Sequence, residues 1–231
     1  MTQPSSHPVC FDVKVVAFDL DGTLVDTLPD LHTATNLTLN DLGYGAVSRD
    51  IVRRYIGQGI EYLLKELFKS LEINTGKEDF VKLAAQFRNH YAVHVCDESV
   101  LFPEMLEVLQ SLQEKGMGIA CLTNKSEEFT LPILDRLAVR HYFQEVICGD
   151  TLARRKPDPM PIFELAQRFN VEPHEVLMVG DSQTDTACAR NAGAPVVCVP
   201  YGYRSGMTLA DLNGDFVLKS PKDILSCINF A

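Results

Sequence analysis

The chain has 231 residues, of which 46% are hydrophobic and 23% charged, a composition typical of a folded protein with one large domain or two small ones. Its net charge of −10 argues against nucleic acid or a membrane surface as a partner, since both favour a basic face. Residues 1–8 show no apolar leader, and no apolar stretch is long enough to span a bilayer, so we expect a cytoplasmic protein. The seven cysteines form no CxxC pair, which predicts reduced thiols rather than a zinc site or disulfide framework.

The predicted elements begin with an apolar strand at Val13–Leu20 and, after residue 98, continue as helices that alternate with strands. The later strands are predicted at Met117–Thr123, Glu145–Cys148, Val176–Val179, Val196–Val199 and Phe216–Leu218. The helices between them are predicted at Met105–Glu114, Glu127–Leu137, Pro161–Phe169 and Asp185–Ala192. This order predicts an α/β fold, a Rossmann-like parallel sheet with helices on both faces and its sites at the carboxyl ends of the strands.

Residues 26–98 break this alternation, because they show only helical spacing of apolar side chains. We therefore expect an α/β catalytic core formed by residues 1–25 and 99–231, with a small all-helical cap domain, residues 26–98, inserted after the first strand. A cap above the strand ends would exclude water and select substrates. The alternative is an ordinary helical subdomain that does not move.

Asp19 and Asp21 follow the first strand, two positions apart and directly before Gly22. Residues at this spacing point to the same side of a strand, and two buried carboxylates need a cation. The pair therefore suggests a metal-assisted carboxylate nucleophile of the kind used in phosphoryl transfer. A strand that ends in a solvated Asp-Gly turn accounts for the pair equally well when it is considered alone.

Three further motifs lie at or after predicted strand ends. Thr123 and Asn124 carry a hydroxyl and an amide that can donate to phosphate oxygens, or can simply cap a helix. Lys156, between Arg155 and Pro157, offers a positive charge to a phosphate, or is a solvated surface lysine. Asp181 can complete a magnesium site, and Asp185 can hold the lysine, hold a metal-bound water, or favour its helix as a first-turn acid.

Together these motifs resemble the haloacid dehalogenase superfamily of hydrolases, and the resemblance covers roughly residues 13–225. It implies that Asp19 is the nucleophile and Asp21 the general acid and base. It also implies that Mg²⁺ is held by the side chains of Asp19 and Asp181 and by the backbone carbonyl of Asp21. The resemblance and the chemistry of the side chains assign the phosphate to Gly22, Thr23, Thr123, Asn124 and Lys156, with Asp185 in a supporting role.

Finer features narrow the expected activity. Members of the superfamily that cleave carbon–halogen bonds lack an acid at the position of Asp21, so the resemblance implies a phosphatase or phosphomutase. The segments Tyr55–Gly59, Leu122–Lys125 and Tyr201–Tyr203 resemble phosphoglycolate phosphatases, which makes 2-phosphoglycolate the expected substrate. The alternatives are another small substrate, such as a sugar phosphate, nucleotide or pyrophosphate, and a non-catalytic binding protein on the same fold.

The expected partner is thus a small phosphorylated metabolite, and the chain is expected to be a monomer or a homodimer. Within the cap, Gly57 and Gly59 can open a helix whose amides face a substrate carboxylate, or can form a tight turn. Further candidates for substrate selection in the cap are Arg53, Arg54 and Gln58.

Overall fold

The computed structural model describes residues 10–230, so the expectation for the polar segment 1–8 lies outside the described residues. The strands are β1 (Val15–Phe18), β2 (Val25–Asp26), β3 (Val100–Leu101), β4 (Gly118–Leu122), β5 (Glu145–Ile147), β6 (Val176–Gly180), β7 (Val196–Cys198) and β8 (Phe216–Val217). The helices are α1 (Leu28–Asp41), α2 (Arg49–Arg53), α3 (Ile60–Ser70), α4 (Lys77–Val93), α5 (Met105–Glu114), α6 (Glu127–Arg136), α7 (Met160–Phe169), α8 (Gln183–Ala192) and α9 (Asp223–Ser226).

The main sheet has six parallel strands among the described residues, in the order β5-β4-β1-β6-β7-β8. Both faces are covered, since alternate residues of β1 pack into different apolar clusters. Val16 and Phe18 belong to one cluster, and Val15 and Ala17 to the other. This is the expected α/β core.

Strand β1 lies between β4 and β6, so the chain leaves it toward one side of the sheet and later returns to the other. A reversal of this kind opens a crevice outside the carboxyl ends of the strands. Asp19 follows β1, Thr123 follows β4 and Asp181 follows β6, which brings three of the predicted site residues to adjacent strand ends.

Helices α1 to α4 lie between two very short strands, β2 and β3, which pair antiparallel with Val25 opposite Leu101. Asp30 in α1 strengthens this junction, because its carboxylate accepts hydrogen bonds from the amides of Glu98 and Ser99 at 2.9 and 2.8 Å. The helical segment therefore leaves and re-enters the rest of the chain at one place. Its status as a separate cap domain stays a prediction.

The sequence-based boundaries agree with the structure to within about three residues at each predicted strand of the main sheet and each predicted core helix, whereas the short helix α9 was not predicted. The paired strands β2 and β3 were missed, since two residues are too few to show a period. Cys121, Cys148 and Cys198 are buried, as expected, and form no disulfide among the described residues. Within residues 10–230, no helix has the length and apolar character needed to cross a membrane.

Candidate active site

Asp19 and Lys156 form a buried ion pair, 5% and 3% exposed, at the centre of the site. The Lys156 ammonium donates to Asp19 Oδ1 at 2.9 Å, to Asp185 Oδ1 at 2.6 Å and to the carbonyl of Leu122 at 2.6 Å. Burial raises the pKa of the Asp19 carboxyl to about 7, because the attraction of Lys156 only partly offsets burial and the repulsion of Asp185 and Asp21. Burial opposes the charged form of Lys156, but Asp185 and Asp19 outweigh it and raise the pKa of the ammonium.

A second buried ion pair joins Asp21 to Lys125, a residue to which no role was assigned from the sequence. The Lys125 ammonium lies 2.9 Å from Asp21 Oδ1 and 3.3 Å from Oδ2, and the Thr27 hydroxyl donates to Oδ1 at 2.6 Å. The same ammonium lies 4.7 Å from the centre of the Tyr91 ring, which belongs to α4. The helical segment therefore contacts the site directly through a cation–π interaction.

Asp181 is held by backbone donors from the loop after β7. Its Oδ2 accepts hydrogen bonds from the amides of Tyr203 and Arg204, and its Oδ1 lies 3.5 Å from the Thr23 hydroxyl. Gly22 has a φ of +86°, and a Cβ there would lie 2.5 Å from Asp181 Oδ2, so glycine is needed for both conformation and space. Burial raises the pKa of Asp181, and the charges of Asp185 and Asp19 raise it further.

Asp185 serves both of the structural purposes considered from the sequence. One carboxylate oxygen accepts from Lys156, and the other accepts from the amides of Asp181 and Ser182 and from the Ser182 hydroxyl. Ser182 in turn caps α8 by accepting from the Asp185 amide. Asp185 thus fixes the start of α8 and the position of Lys156 together.

The donor set of this site suits a hard divalent cation. Carboxylate oxygens of Asp19, Asp181 and Asp185 lie within 4.8 Å of one another, and all three residues are buried. With Asp21, these acids supply four carboxylates against the two ammonium groups of Lys125 and Lys156, an excess of negative charge that burial makes costly. Oxygen ligands at this density are those that Mg²⁺ prefers.

Thr123 and Asn124 are buried at the end of β4, and each side chain already makes hydrogen bonds within the protein. The Thr123 hydroxyl accepts from the Lys125 amide at 3.1 Å. The Asn124 side-chain nitrogen donates to the carbonyls of Gly57 and Lys156 at 3.1 and 3.0 Å, which leaves its Oδ1 without a partner among the described residues. Asn124 therefore links the helical segment to the Lys156 loop, and its expected donation to phosphate stays a prediction.

A cavity of about 240 Å³ lies between the core and the helical segment. Core residues on its wall include Asp21, Asn124 and Lys125, and the helical segment contributes Gly59 and Ile60. Gly59, with a φ of +87°, is the N-cap of α3, so the glycine pair opens a helix at the cavity. Asp19 and Lys156 do not contribute to its wall, and the cavity therefore adjoins the Asp21 side of the site.

The segment Tyr201–Tyr203 joins the core to the helical segment. The Tyr203 hydroxyl accepts from the amides of Thr27 and Leu28 at the start of α1, at 2.8 and 2.9 Å. Arg53 donates to the carbonyls of Tyr201 and Gly202 at 3.2 and 3.4 Å. Arg53 is thus a docking residue in this structure, and its selection of a substrate, like that of Arg54 and Gln58, stays a prediction.

Four contacts of the site escaped sequence reasoning: Thr27 and Lys125 on Asp21, Tyr91 on Lys125, and Tyr203 on Asp181. Lys125 belongs to the segment Leu122–Lys125, but nothing in a single sequence indicates which carboxylate a lysine will contact. Tyr91 shares the helical spacing of apolar side chains found in residues 26–98, which predicts that it is buried, and its burial confirms this. Its second contact depends on how α4 docks against the core.

Comparisons with known proteins agree with this geometry. Residues 16–199 match the model of the haloacid dehalogenase-like hydrolase family. The chain is 40% identical over 209 residues to a phosphoglycolate phosphatase of Thiobacillus denitrificans, covering 90% of this chain and 92% of that one. It is 34% identical over 219 residues to a phosphoglycolate phosphatase of Mannheimia succiniciproducens, with 93% and 98% covered.

A crystal structure of a predicted phosphoglycolate phosphatase of Haemophilus somnus superposes with a TM-score of 0.88 at 34% identity, covering 93% of this chain and 97% of that one. The family match spans most of the chain, and the sheet order and the buried Asp19, Asp21 and Asp181 fit it. The chain therefore belongs to the haloacid dehalogenase-like hydrolase family.

Proposed function

We propose that the chain is a magnesium-dependent phosphatase that converts 2-phosphoglycolate and water to glycolate and phosphate through a phosphorylated Asp19. The observation that carries the reaction is the presence of two buried ion pairs, Asp19 with Lys156 and Asp21 with Lys125, of which the second lines a cavity large enough for a small metabolite. The choice of substrate rests on relatives that share 34–40% identity over most of the chain and are named for it.

In this proposal Asp19 attacks phosphorus, and the bond from phosphorus to the ester oxygen breaks. No donor among residues 10–230 contacts Asp19 Oδ2, so this oxygen is available for attack while Lys156 holds Oδ1. Asp21 gives a proton to the departing oxygen and then accepts one from the water that attacks the phosphorylated Asp19. The cavity beside Asp21 supports this division, because the leaving group must lie next to its proton donor.

Mg²⁺ would be held by the side chains of Asp19 and Asp181 and by the backbone carbonyl of Asp21. When bound, it supplies positive charge that lowers the repulsion between a carboxylate and a phosphate. The excess of buried carboxylates over buried ammonium groups supports this assignment. Asp185 then has a supporting role, since both of its oxygens are occupied by Lys156 and by backbone and hydroxyl donors.

We assign the phosphate oxygens to Lys156, to the Thr123 hydroxyl and to the amides at Gly22 and Thr23, with Asn124 as a further contact. These groups lie at the ends of β1 and β4 or beside them, where donors stabilise charge that develops in the transition state. The Gly22 and Thr23 amides donate to the carbonyls of Val25 and Leu20 at 3.0 and 3.3 Å, so they would have to turn from these acceptors to the phosphate. Donation by Asn124 requires it to release the carbonyl of Gly57 or Lys156. Substrate binding would then loosen a link between the core and the helical segment.

We also propose that residues 26–98 act as a cap that selects substrates above a core of residues 1–25 and 99–231. The pairing of β2 with β3 supports this division, because it joins the two crossings of the chain. The cytoplasm as the location, and a monomer or homodimer as the functional unit, are parts of the same proposal.

The test is a panel of phosphorylated metabolites assayed with Mg²⁺. We expect 2-phosphoglycolate to have the highest kcat/KM, above hexose phosphates, nucleotides and pyrophosphate. A hexose phosphate that exceeds it by tenfold or more would contradict the substrate but not the reaction. Absence of Mg²⁺-dependent hydrolysis across the whole panel, with an aryl phosphate included, would contradict the reaction itself.

A further inference from the structure

The two buried lysines of the site have different surroundings. Lys156 is fixed by two carboxylates and a backbone carbonyl and does not line the cavity. Lys125 contacts one carboxylate, that of Asp21, and the face of the Tyr91 ring, and it lines the cavity. An aromatic face attracts an ammonium group without fixing its hydrogen bonds, so Lys125 can change its acceptor and keep its contact with Tyr91.

The position of Lys125 suits the second charge of the proposed substrate. In 2-phosphoglycolate, the carboxylate carbon is two bonds from the ester oxygen that Asp21 must protonate. The carboxylate of the bound substrate therefore lies within a few ångströms of Asp21. The Lys125 ammonium, 2.9 Å from Asp21 Oδ1, is on the cavity wall at that distance.

A cation is also required there by electrostatics. Once Asp21 has given its proton to the leaving oxygen, a substrate carboxylate beside it would be repelled strongly in a buried site unless a positive charge lay between them. The Lys125 ammonium is placed to separate these two charges. A charged hydrogen bond to it would favour a phosphate ester that has a carboxylate over one that does not.

The other cations near the cavity are less suitable. Arg88 on α4 is already bound to two carboxylates, those of Glu61 at 2.7 Å and of Glu128. Arg53 donates to backbone carbonyls in the Tyr201–Tyr203 segment. Arg155 is exposed at the edge of the cavity, where water screens its charge.

We propose that Lys125 recognises the carboxylate of the substrate, with the Tyr91 ring holding its ammonium at the cavity wall. The proposal rests on the proposed function, because it requires a substrate with a carboxylate close to the ester oxygen. It makes Lys125 the residue that distinguishes 2-phosphoglycolate from a phosphate ester of the same size that lacks the carboxylate.

The experiment compares 2-phosphoglycolate with ethyl phosphate, in which a methyl group replaces the carboxylate. We expect the wild-type protein to prefer 2-phosphoglycolate by kcat/KM. In Lys125→Met the ratio of the two kcat/KM values should fall by about 10- to 100-fold, the range for loss of a charged hydrogen bond. The loss should be mainly in KM for 2-phosphoglycolate, and Lys125→Arg should restore part of the preference.

Lys69→Met is the matched control, since it removes the same charge from an exposed position on α3 and should leave the ratio unchanged. If Lys125→Met does not fold, Lys125→Gln replaces it, because its amide can still donate to Asp21. An equal loss with both esters would overturn the proposal, as would a collapse of the ratio in Arg155→Met. A wild-type protein without any preference for 2-phosphoglycolate would overturn the proposed substrate before any variant is made.

Discussion

The core side of the cavity and the side formed by the helical segment 26–98, the proposed cap side, are built by different means. The core side presents charged groups that are buried and held by several partners, as in the contacts of Lys156 with Asp19, Asp185 and the Leu122 carbonyl. The cap side presents apolar side chains, the glycine-rich start of α3 and the Glu61–Arg88 ion pair, and the Tyr91 ring contacts Lys125. Charged groups with many partners are suited to chemistry that is common to all phosphate esters. A mainly apolar wall is suited to selecting among them.

Because the two sides are built differently, substitutions on them should change different properties of the protein. Changes on the core side, apart from those at Lys125, should reduce turnover of every phosphate ester and should also change stability, because each charge there compensates another. Changes on the cap side should alter the preference between substrates and leave the common chemistry in place. The following experiments test this division.

The largest expected effect is that of Asp19→Asn. Because this residue is the proposed nucleophile, kcat/KM for any phosphate ester should fall by about 10⁴-fold or more. Asparagine keeps the shape of the side chain and removes one negative charge from an acidic cluster, so the thermal midpoint of the metal-free protein should not fall. Aryl phosphate hydrolysis and a melting curve measure both quantities. Retained turnover would overturn the assignment of Asp19.

The second effect concerns the stability supplied by the core lysine. Lys156→Met leaves Asp19 and Asp185 buried without their cation and should lower the free energy of unfolding by about 3–5 kcal/mol. Lys125→Met removes the cation of one carboxylate and should cost less. Urea unfolding in the absence of metal provides both values. Equal losses would contradict this prediction, since they would mean that the two ion pairs contribute equally to the free energy of unfolding.

The third prediction is a pH dependence that a metal should remove. The pKa of Asp19 is about 7 in the folded protein and near 3.8 ordinarily, so between these values the folded protein keeps a proton that the unfolded chain has lost. The free energy of unfolding of the metal-free protein should therefore fall as the pH rises from about 4 to 7, by up to about 1.4 kcal/mol per pH unit for this group. Asp181, whose pKa is also raised, should add to the fall.

Mg²⁺ at 100 times its dissociation constant should restore about 2.7 kcal/mol at neutral pH. Urea unfolding at pH 5 and pH 7.5, with EDTA or with Mg²⁺, measures these changes. Asp181→Asn is the matched variant and should abolish most of the Mg²⁺ effect. A free energy of unfolding that rises with pH in the metal-free protein would contradict the raised pKa of Asp19.

The smallest effect is expected on the cap side, from Tyr91→Phe. The Tyr91 hydroxyl is buried without a hydrogen-bond partner among the described residues, so its removal should change the free energy of unfolding by no more than about 1 kcal/mol, toward greater stability. The ring remains beside Lys125, and kcat/KM should change little. Tyr91→Leu, which removes the ring, is the comparison and should weaken 2-phosphoglycolate binding more than ethyl phosphate binding. If Tyr91→Phe lowered kcat/KM as much as Tyr91→Leu does, the hydroxyl rather than the ring would be the functional group.

The core could be predicted from the sequence because its signals are local. An apolar run followed by Asp19, Asp21 and Gly22 specifies a strand and the acids at its end, and the same holds for Asp181 after β6. The order of such strands predicts a parallel sheet, and the family resemblance adds the roles. The fold and the family are confirmed, and the catalytic roles of the individual residues stay predictions.

The cap side could not be predicted in the same way, since its contacts join residues far apart in the chain. Tyr91 and Lys125 are 34 positions apart, and Tyr203 contacts Thr27, 176 positions away. Helical periodicity says that Tyr91 is buried but not what it will touch. Asn124 shows the same limit, because its motif indicates a polar donor and only the structure shows that the donor is used by Gly57.

The paired strands β2 and β3 have a consequence for how such proteins can be recombined. Val25 lies opposite Leu101, so the two ends of the helical segment are neighbours, and a hairpin turn could close the gap if the segment were removed. A segment of different shape can therefore be grafted at the same place without changing the register of the main sheet. The graft must carry a partner for Tyr203, which here holds the start of α1. A chimera made in this way would take its chemistry from one parent and its substrate preference from the other.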